Sequence, residues 1–206
     1  LSPVRHGSPY KIGLTGIIGA GKSTVADVWK SLGAAIVEGD QMGRLALKNQ
    51  SVIDDLTSRF GKDVIDFDDG TINRSELGRI AFSSTTGRKD LLSITFPELY
   101  RIAKQHFSSA VMQGKTVVFD AALIYEWGVE ADFDSIVVVN ALMDTAIQRS
   151  ATKLNTSKEE IRNRLSAQIS AEEKMRRADH VIDNDGNLDE LVDKATLMWS
   201  KLEPQK

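Results

Sequence analysis

Cysteine is absent from this 206-residue chain, which removes disulfides, zinc–thiolate sites and thiol nucleophiles together and points to a reducing, cytoplasmic setting. Proline is scarce, with four residues in all, and two of them fall in the opening stretch LSPVRHGSP. That stretch has no hydrophobic periodicity, so residues 1–9 read as a flexible extension outside the fold. The three histidines, His6, His106 and His180, are scattered, and none pairs with a second ligand at metal-binding spacing. Long apolar runs are missing too. The run within residues 135–140 is far too short to cross a bilayer, and no signal-peptide pattern precedes it. Neither sign of charge dominates: a formal net charge of -3 provides no general attraction to nucleic acid or anionic membrane, so neither is expected as a partner and any phosphate site must be local.

What is present is an ordinary globular composition, 41% hydrophobic and 27% charged, on a chain long enough for one domain with an insertion. From Tyr10 onward, short β-rich runs at residues 11–15, 34–38, 116–119, 135–139 and 180–182 alternate with helical patterns. This is the pattern of a parallel five-stranded sheet with helices on both faces, an α/β, three-layer fold. After the first strand, Val25, Val28, Trp29 and Leu32 recur at helical spacing and stop at Gly33, a residue suited to a left-handed position after a helix. Trp29, Trp127 and Trp199 are expected in the core.

Residues 40–114 interrupt the strand pattern for too long to be a simple crossover and read as a helical, acceptor-binding insertion. Within it, Asn73 with Glu76 resembles a capping box that starts a helix through Leu77, Ile80 and Ala81. A longer helix is expected to start near Pro97 and run through Leu99, Ile102, Ala103, His106, Phe107 and Ala110 to Gly114. A second polar helical stretch, residues 144–178, has the composition of a lid, with the core made of residues 10–39, 115–143 and 179–206. The basic residues of the lid include Arg149, Lys153, Arg162, Arg164, Lys174, Arg176 and Arg177. For most of these the expectation is a solvated surface interleaved with Glu159, Glu160, Glu172 and Glu173.

The sharpest signal is GIIGAGKS, residues 16–23, which fits the pattern of glycine, four residues, glycine, lysine, then serine or threonine. A predicted strand feeds it and an amphipathic helix leaves it. Backbone N–H groups of Gly19, Ala20, Gly21, Lys22 and Ser23 can therefore converge on phosphate oxygens at a helix N-terminus. Lys22 is placed for the β- and γ-phosphates, Ser23 for a Mg²⁺ ion, and Thr24 for the α-phosphate. The fold expected is thus that of a P-loop NTPase, with ATP as phosphoryl donor. The loop alone does not separate kinase, GTPase switch and mechanical ATPase.

Asp40 follows the second strand, where it can serve either as a base for an acceptor hydroxyl or as a cap for a helix over residues 41–47. Asp120 ends the third strand, in the place of a carboxylate that holds Mg²⁺ or, alternatively, of an ordinary turn aspartate. Arg149 offers a planar fork that can clamp a transferring phosphoryl group, or else lies on the surface.

Taken in order, the motifs IGLTGIIGAGKST, LGAAIVEGDQMGR, INRSELGRIAF, DAALIYEWG and ADHVIDNDG make the chain resemble the dephospho-CoA kinase family from Lys11 to about Trp199. The resemblance implies a nucleotide-binding core, a CoA-binding insertion and a lid. It implies phosphorylation of the 3′-hydroxyl of dephospho-CoA, with Asp40 as base, Arg149 near the phosphates, and Leu77, Gly78, Arg79 and Asp120 on the acceptor side. Two departures stand out: Phe96 where the family usually has a histidine before proline, and Lys153 where it has a second lid arginine. Alternatives are another small-molecule kinase, of nucleoside monophosphate or shikimate type, and a non-catalytic member that binds ATP or CoA. A regulatory GTPase lacks support because no NKxD string occurs; residues 140–143 read NALM. An ABC-type ATPase lacks its LSGGQ-like signature. Oligomeric state is left open.

Overall fold

The computed structural model describes residues 10–202; the extension expected at residues 1–9 lies outside them. In chain order the elements are β1 (Lys11–Gly16), α1 (Lys22–Ser31), β2 (Ala35–Glu38), α2 (Gly39–Ala46), α3 (Gln50–Phe60), α4 (Arg74–Ala81), α5 (Thr85–Met112), β3 (Val117–Asp120), β4 (Ser135–Asn140), α6 (Met143–Leu154), α7 (Lys158–Leu165), α8 (Ala171–Arg177), β5 (His180–Asp183) and α9 (Leu188–Leu202). These divide into two compact units, one of residues 10–38 and 107–202, the other of Gly39–His106.

In the larger unit the five strands form one parallel sheet in the order β2-β3-β1-β4-β5. Each strand begins and ends within one residue of the expected limits. In β4, Ile136, Val137, Val138 and Val139 are all buried although neighbours point to opposite faces, so both faces are covered, as parallel sheets require. One cover is α1 with α9: Trp29 is fully buried, donates its indole N–H to the Ala195 carbonyl at 2.8 Å, and lies 5.8 Å from the Trp199 ring. An aromatic group forms around Phe119, with Phe107 5.4 Å and Phe133 5.8 Å away. α1 ends as the sequence implies, Gly33 taking φ 105 just past Leu32. From β1 the chain crosses to β2 on one side, and from β3 it crosses to β4 on the other. This reversal opens a crevice at the carboxyl ends of β1 and β3, where ligands of open α/β sheets bind.

The smaller unit has its own core of Val52, Leu56, Val64, Ile72 and Leu77, backed by Leu47, Ile53, Phe60, Leu91 and Ile94. A single 3₁₀ turn, Lys62–Val64, and an isolated antiparallel bridge between Ile65 and Ile72 connect α3 to α4. Asn73 caps α4 by accepting from the Glu76 N–H at 3.1 Å. The expected reciprocal bond is replaced: the Glu76 carboxylate pairs with Arg79 instead, and the Asn73 N–H goes to the Val64 carbonyl at 2.8 Å.

Three boundaries differ from expectation. Pro97 does not open a helix but lies inside α5, which begins twelve residues earlier, at Thr85. An internal proline costs about 3 kcal/mol through its missing N–H and ring clash. Partial burial of Leu91 and Ile94 before it, with burial of Leu99 and Ala103 after it, offsets that cost. The expected insertion runs to residue 114, whereas the smaller unit ends at His106, since Phe107 packs among the aromatics of the larger one. Finally, α2 starts at Gly39, so Asp40 lies in its first turn rather than before it as a cap.

Candidate active site

The loop between β1 and α1 owes its shape to glycine. Gly21, the residue before α1, has φ 104, and a Cβ there would lie 2.4 Å from the Asn184 side-chain nitrogen. At Gly19, with φ 80, a Cβ would come within 2.2 Å of the Ala146 carbonyl oxygen and 2.3 Å of Ser150 Oγ, both on α6. A side chain is therefore excluded at these two positions, where the loop packs closely against α6 and Asn184. Because Gly21 has no side chain, no side-chain acceptor caps the first turn of α1, whose N–H groups carry the positive end of the helix dipole. Lys22 and Ser23 are the first two residues of that turn.

Behind the loop stand residues that the sequence reading left without a role. Asn184, which follows β5 and is buried, donates its side-chain N–H to the Ala20 carbonyl at 2.8 Å and its backbone N–H to Asn140 at 2.7 Å. Ile18, on the loop, packs against a small apolar cluster formed by Ile147 and Ala151 of α6 and Ile161 of α7. Lys174 departs from the solvated surface expected of the lid cations. It is fully buried, donating to the Ala122 carbonyl at 2.5 Å and pairing with Glu126 at 3.0 Å. The only signal in the sequence is its place three residues after Ala171, on the same buried face of α8.

The remaining expected residues fall in several places. Asp120 stands at the end of β3, opposite Leu14 of β1 in the sheet register. It lines a cleft of about 110 Å³ together with Ser23, Asp27, Lys30 and Glu38. Serine and carboxylate oxygens are the hard donors that Mg²⁺ takes, usually one or two from protein with the rest from phosphate and water. Thr24, partly exposed, follows in the first turn of α1, and Arg149 is exposed on α6, one residue before the Ser150 that abuts Gly19. In the smaller unit, Asp40 is exposed in the first turn of α2. Leu77 is committed to that unit's core, while Gly78 is partly exposed and Arg79 is exposed but paired with Glu76 at 2.5 Å. Phe96 stacks on Tyr100, ring centroids 5.3 Å apart.

Electrostatically, the built-in feature of the larger unit is the buried ammonium of Lys174. Burial pushes its pKa below the ordinary lysine value, the Glu126 carboxylate pulls it back up, and the nearby Lys22 charge pushes it down again. Tyr125, on the same segment as Glu126, is pushed up to about 12 by burial.

Comparison with known proteins agrees with this fold. The family model for dephospho-CoA kinase matches residues 10–190. A dephospho-CoA kinase of Syntrophotalea carbinolica is 34% identical over 195 residues, covering 94% of this chain and 92% of the relative. A solved structure from Thermus thermophilus superposes with a TM-score of 0.80 at 30% identity, over 95% of this chain and 99% of the other. A dephospho-CoA kinase from Campylobacter jejuni shares the fold, with a TM-score of 0.70 at 22% identity over 93% and 96% of the two chains. The protein is therefore a P-loop kinase, and it belongs to the dephospho-CoA kinase family.

Proposed function

We propose that this kinase transfers the γ-phosphate of ATP to the 3′-hydroxyl of dephospho-CoA, giving coenzyme A and ADP. The observation that carries the reading is the loop of residues 16–23 at the β1–β3 crevice, with Lys22 and Ser23 opening α1 and Asp120 lining the same cleft as Ser23. The relatives named as dephospho-CoA kinases supply the acceptor.

In this mechanism the backbone N–H groups of Gly19 and of residues 21–23 hold the phosphates without reorganising, while the Ala20 N–H, which donates to the Ile17 carbonyl at 3.1 Å, closes the loop on itself. Such fixed donors are worth most where charge develops during transfer. Lys22 supplies a mobile positive charge to the β- and γ-phosphates, and Thr24 attends the α-phosphate. Ser23 and Asp120 would hold Mg²⁺, which when bound neutralises charge on the phosphate oxygens. Asp40 accepts the proton of the attacking hydroxyl. Arg149, carried by α6, adds its guanidinium to the phosphoryl group.

The smaller unit is the acceptor-binding part, and residues 144–178 form the lid. Since the Leu77 side chain is core, Gly78 and Arg79 are left to meet the acceptor from α4, Arg79 by exchanging its Glu76 partner. Phe96 and Lys153 depart from the family pattern but leave the phosphate loop and Asp40 in place, and coenzyme A formation in the assay below would make them tolerated departures.

The test is ATP consumption with Mg²⁺ across dephospho-CoA, AMP, CMP, shikimate and no acceptor, with products identified by mass. Coenzyme A formed from dephospho-CoA, and from no other acceptor a phosphorylated product, is the expected result. Nucleotide binding without any coenzyme A formation would discard the reading in favour of another acceptor or a binding-only role.

A further inference from the structure

A lysine with no solvent exposure has to be explained, since burying an ammonium costs several kcal/mol unless it is paired and hydrogen-bonded. Lys174 is paired with Glu126 at 3.0 Å and donates to the Ala122 carbonyl at 2.5 Å. Glu126 is itself held, accepting from the Ile169 N–H at 2.8 Å. The Ala122 carbonyl receives a second bond, from the Thr15 hydroxyl at 3.2 Å. One residue earlier, the Ala121 N–H donates to Leu14 at 3.0 Å. The segment that leaves β3, residues 120–122, is thus tied to the end of β1 by its backbone and to α8 by one charged side chain. Asp120 is the last residue of β3, two before Ala122, and Thr15 is two residues before Ile17 of the phosphate loop.

We propose that Lys174 is a positioning residue for phosphoryl transfer: by clamping the Ala122 carbonyl it sets the Asp120 carboxylate beside Ser23. This rests on the reading of Asp120 and Ser23 as the pair that would hold Mg²⁺. A charge-assisted bond from a buried ammonium is about twice as strong as a neutral one, which suits it to holding a turn that has only four residues of β3 behind it. The ion pair also joins α8, at the end of the lid, to the segment that follows β3, so the element that carries Lys174 and the site carboxylate are fixed as one piece.

The experiment measures the affinity of a fluorescent ATP analogue with and without Mg²⁺, alongside kcat and KM for coenzyme A formation. Three variants are compared: Asp120→Asn, Lys174→Met, and Lys174→Met combined with Glu126→Leu. The double variant replaces a buried ion pair by apolar groups of similar size, a change that commonly restores stability. A merely structural pair would then recover full activity together with its melting temperature. On the positioning role, the double variant keeps metal-free nucleotide affinity, loses about tenfold of the strengthening that Mg²⁺ confers, and lowers kcat more than it raises KM. Should the double variant not fold, Lys174→Met combined with Glu126→Gln, which removes the clamp and leaves no unpaired buried charge while keeping the size of Glu126 and an acceptor for the Ile169 N–H, is read in the same way. Wild-type response to Mg²⁺ in the double variant, with Asp120→Asn impaired, overturns the role of Lys174. An unimpaired Asp120→Asn variant overturns the metal reading beneath it.

Discussion

Replacing Asp40 by Asn keeps the size of the side chain and removes its capacity to accept a proton. On the proposed mechanism Asp40→Asn lowers kcat about 10²-fold or more and leaves ATP affinity unchanged, as measured by steady-state kinetics beside nucleotide titration. An unaltered kcat would remove Asp40 from the role of base. Gly21→Ala acts by another route. The new Cβ meets Asn184 at 2.4 Å from a backbone at φ 104, a conformation costing a side chain on the order of 1–3 kcal/mol. The loop must shift, so ATP binding falls by more than tenfold while the remainder of the fold persists; titration and circular dichroism together check this. The glycine pattern was legible in the sequence, but its partner Asn184 was not, because the two positions are 163 residues apart and no local pattern ties them.

At the scale of elements, α5 holds an ion pair with a pH signature. The Glu98 carboxyl is held down to about 2 from an ordinary value of 4.5, first by its bonds to Arg101 and then by the Asn49 amide. A depressed carboxyl contributes stability that is fully present above the unfolded value and is lost as the folded form takes up its proton. Glu98→Gln is therefore less stable than the wild type at pH 7, and the gap closes as pH falls from about 4.5 toward 2. Melting temperatures of both proteins across that range check the sign: a gap that is constant with pH would show that Glu98 acts through packing alone. The same helix marks where reading by element breaks down. Pro97 signals a helix start by local rules, yet α5 carries it in the interior because Leu91 and Ile94, on its N-terminal side, pack against the core of the smaller unit.

For the whole molecule, a ligand that binds only the folded state stabilises it by mass action. Mg²⁺–ATP at a hundred times its dissociation constant adds about 2.7 kcal/mol, so the melting temperature rises with nucleotide and does so less for Lys22→Ala. Calorimetry at several nucleotide concentrations follows the rise; a melting temperature indifferent to ATP would count against the phosphate loop as a nucleotide site. What the sequence determined alone was everything written in local periodicity and short motifs. The five strands, the alternation that makes their sheet parallel, the helix stop at Gly33 and the phosphate loop all depend on residues within a few positions of one another. Only the tertiary structure decided which strands are neighbours, and hence that Asp120 shares a cleft with Ser23. It also decided that one lysine among the many charges of residues 144–178 is buried, because desolvation and pairing are set by what packs from distant parts of the chain: Ala122 and Glu126 for Lys174, solvent for Arg149 and Lys153.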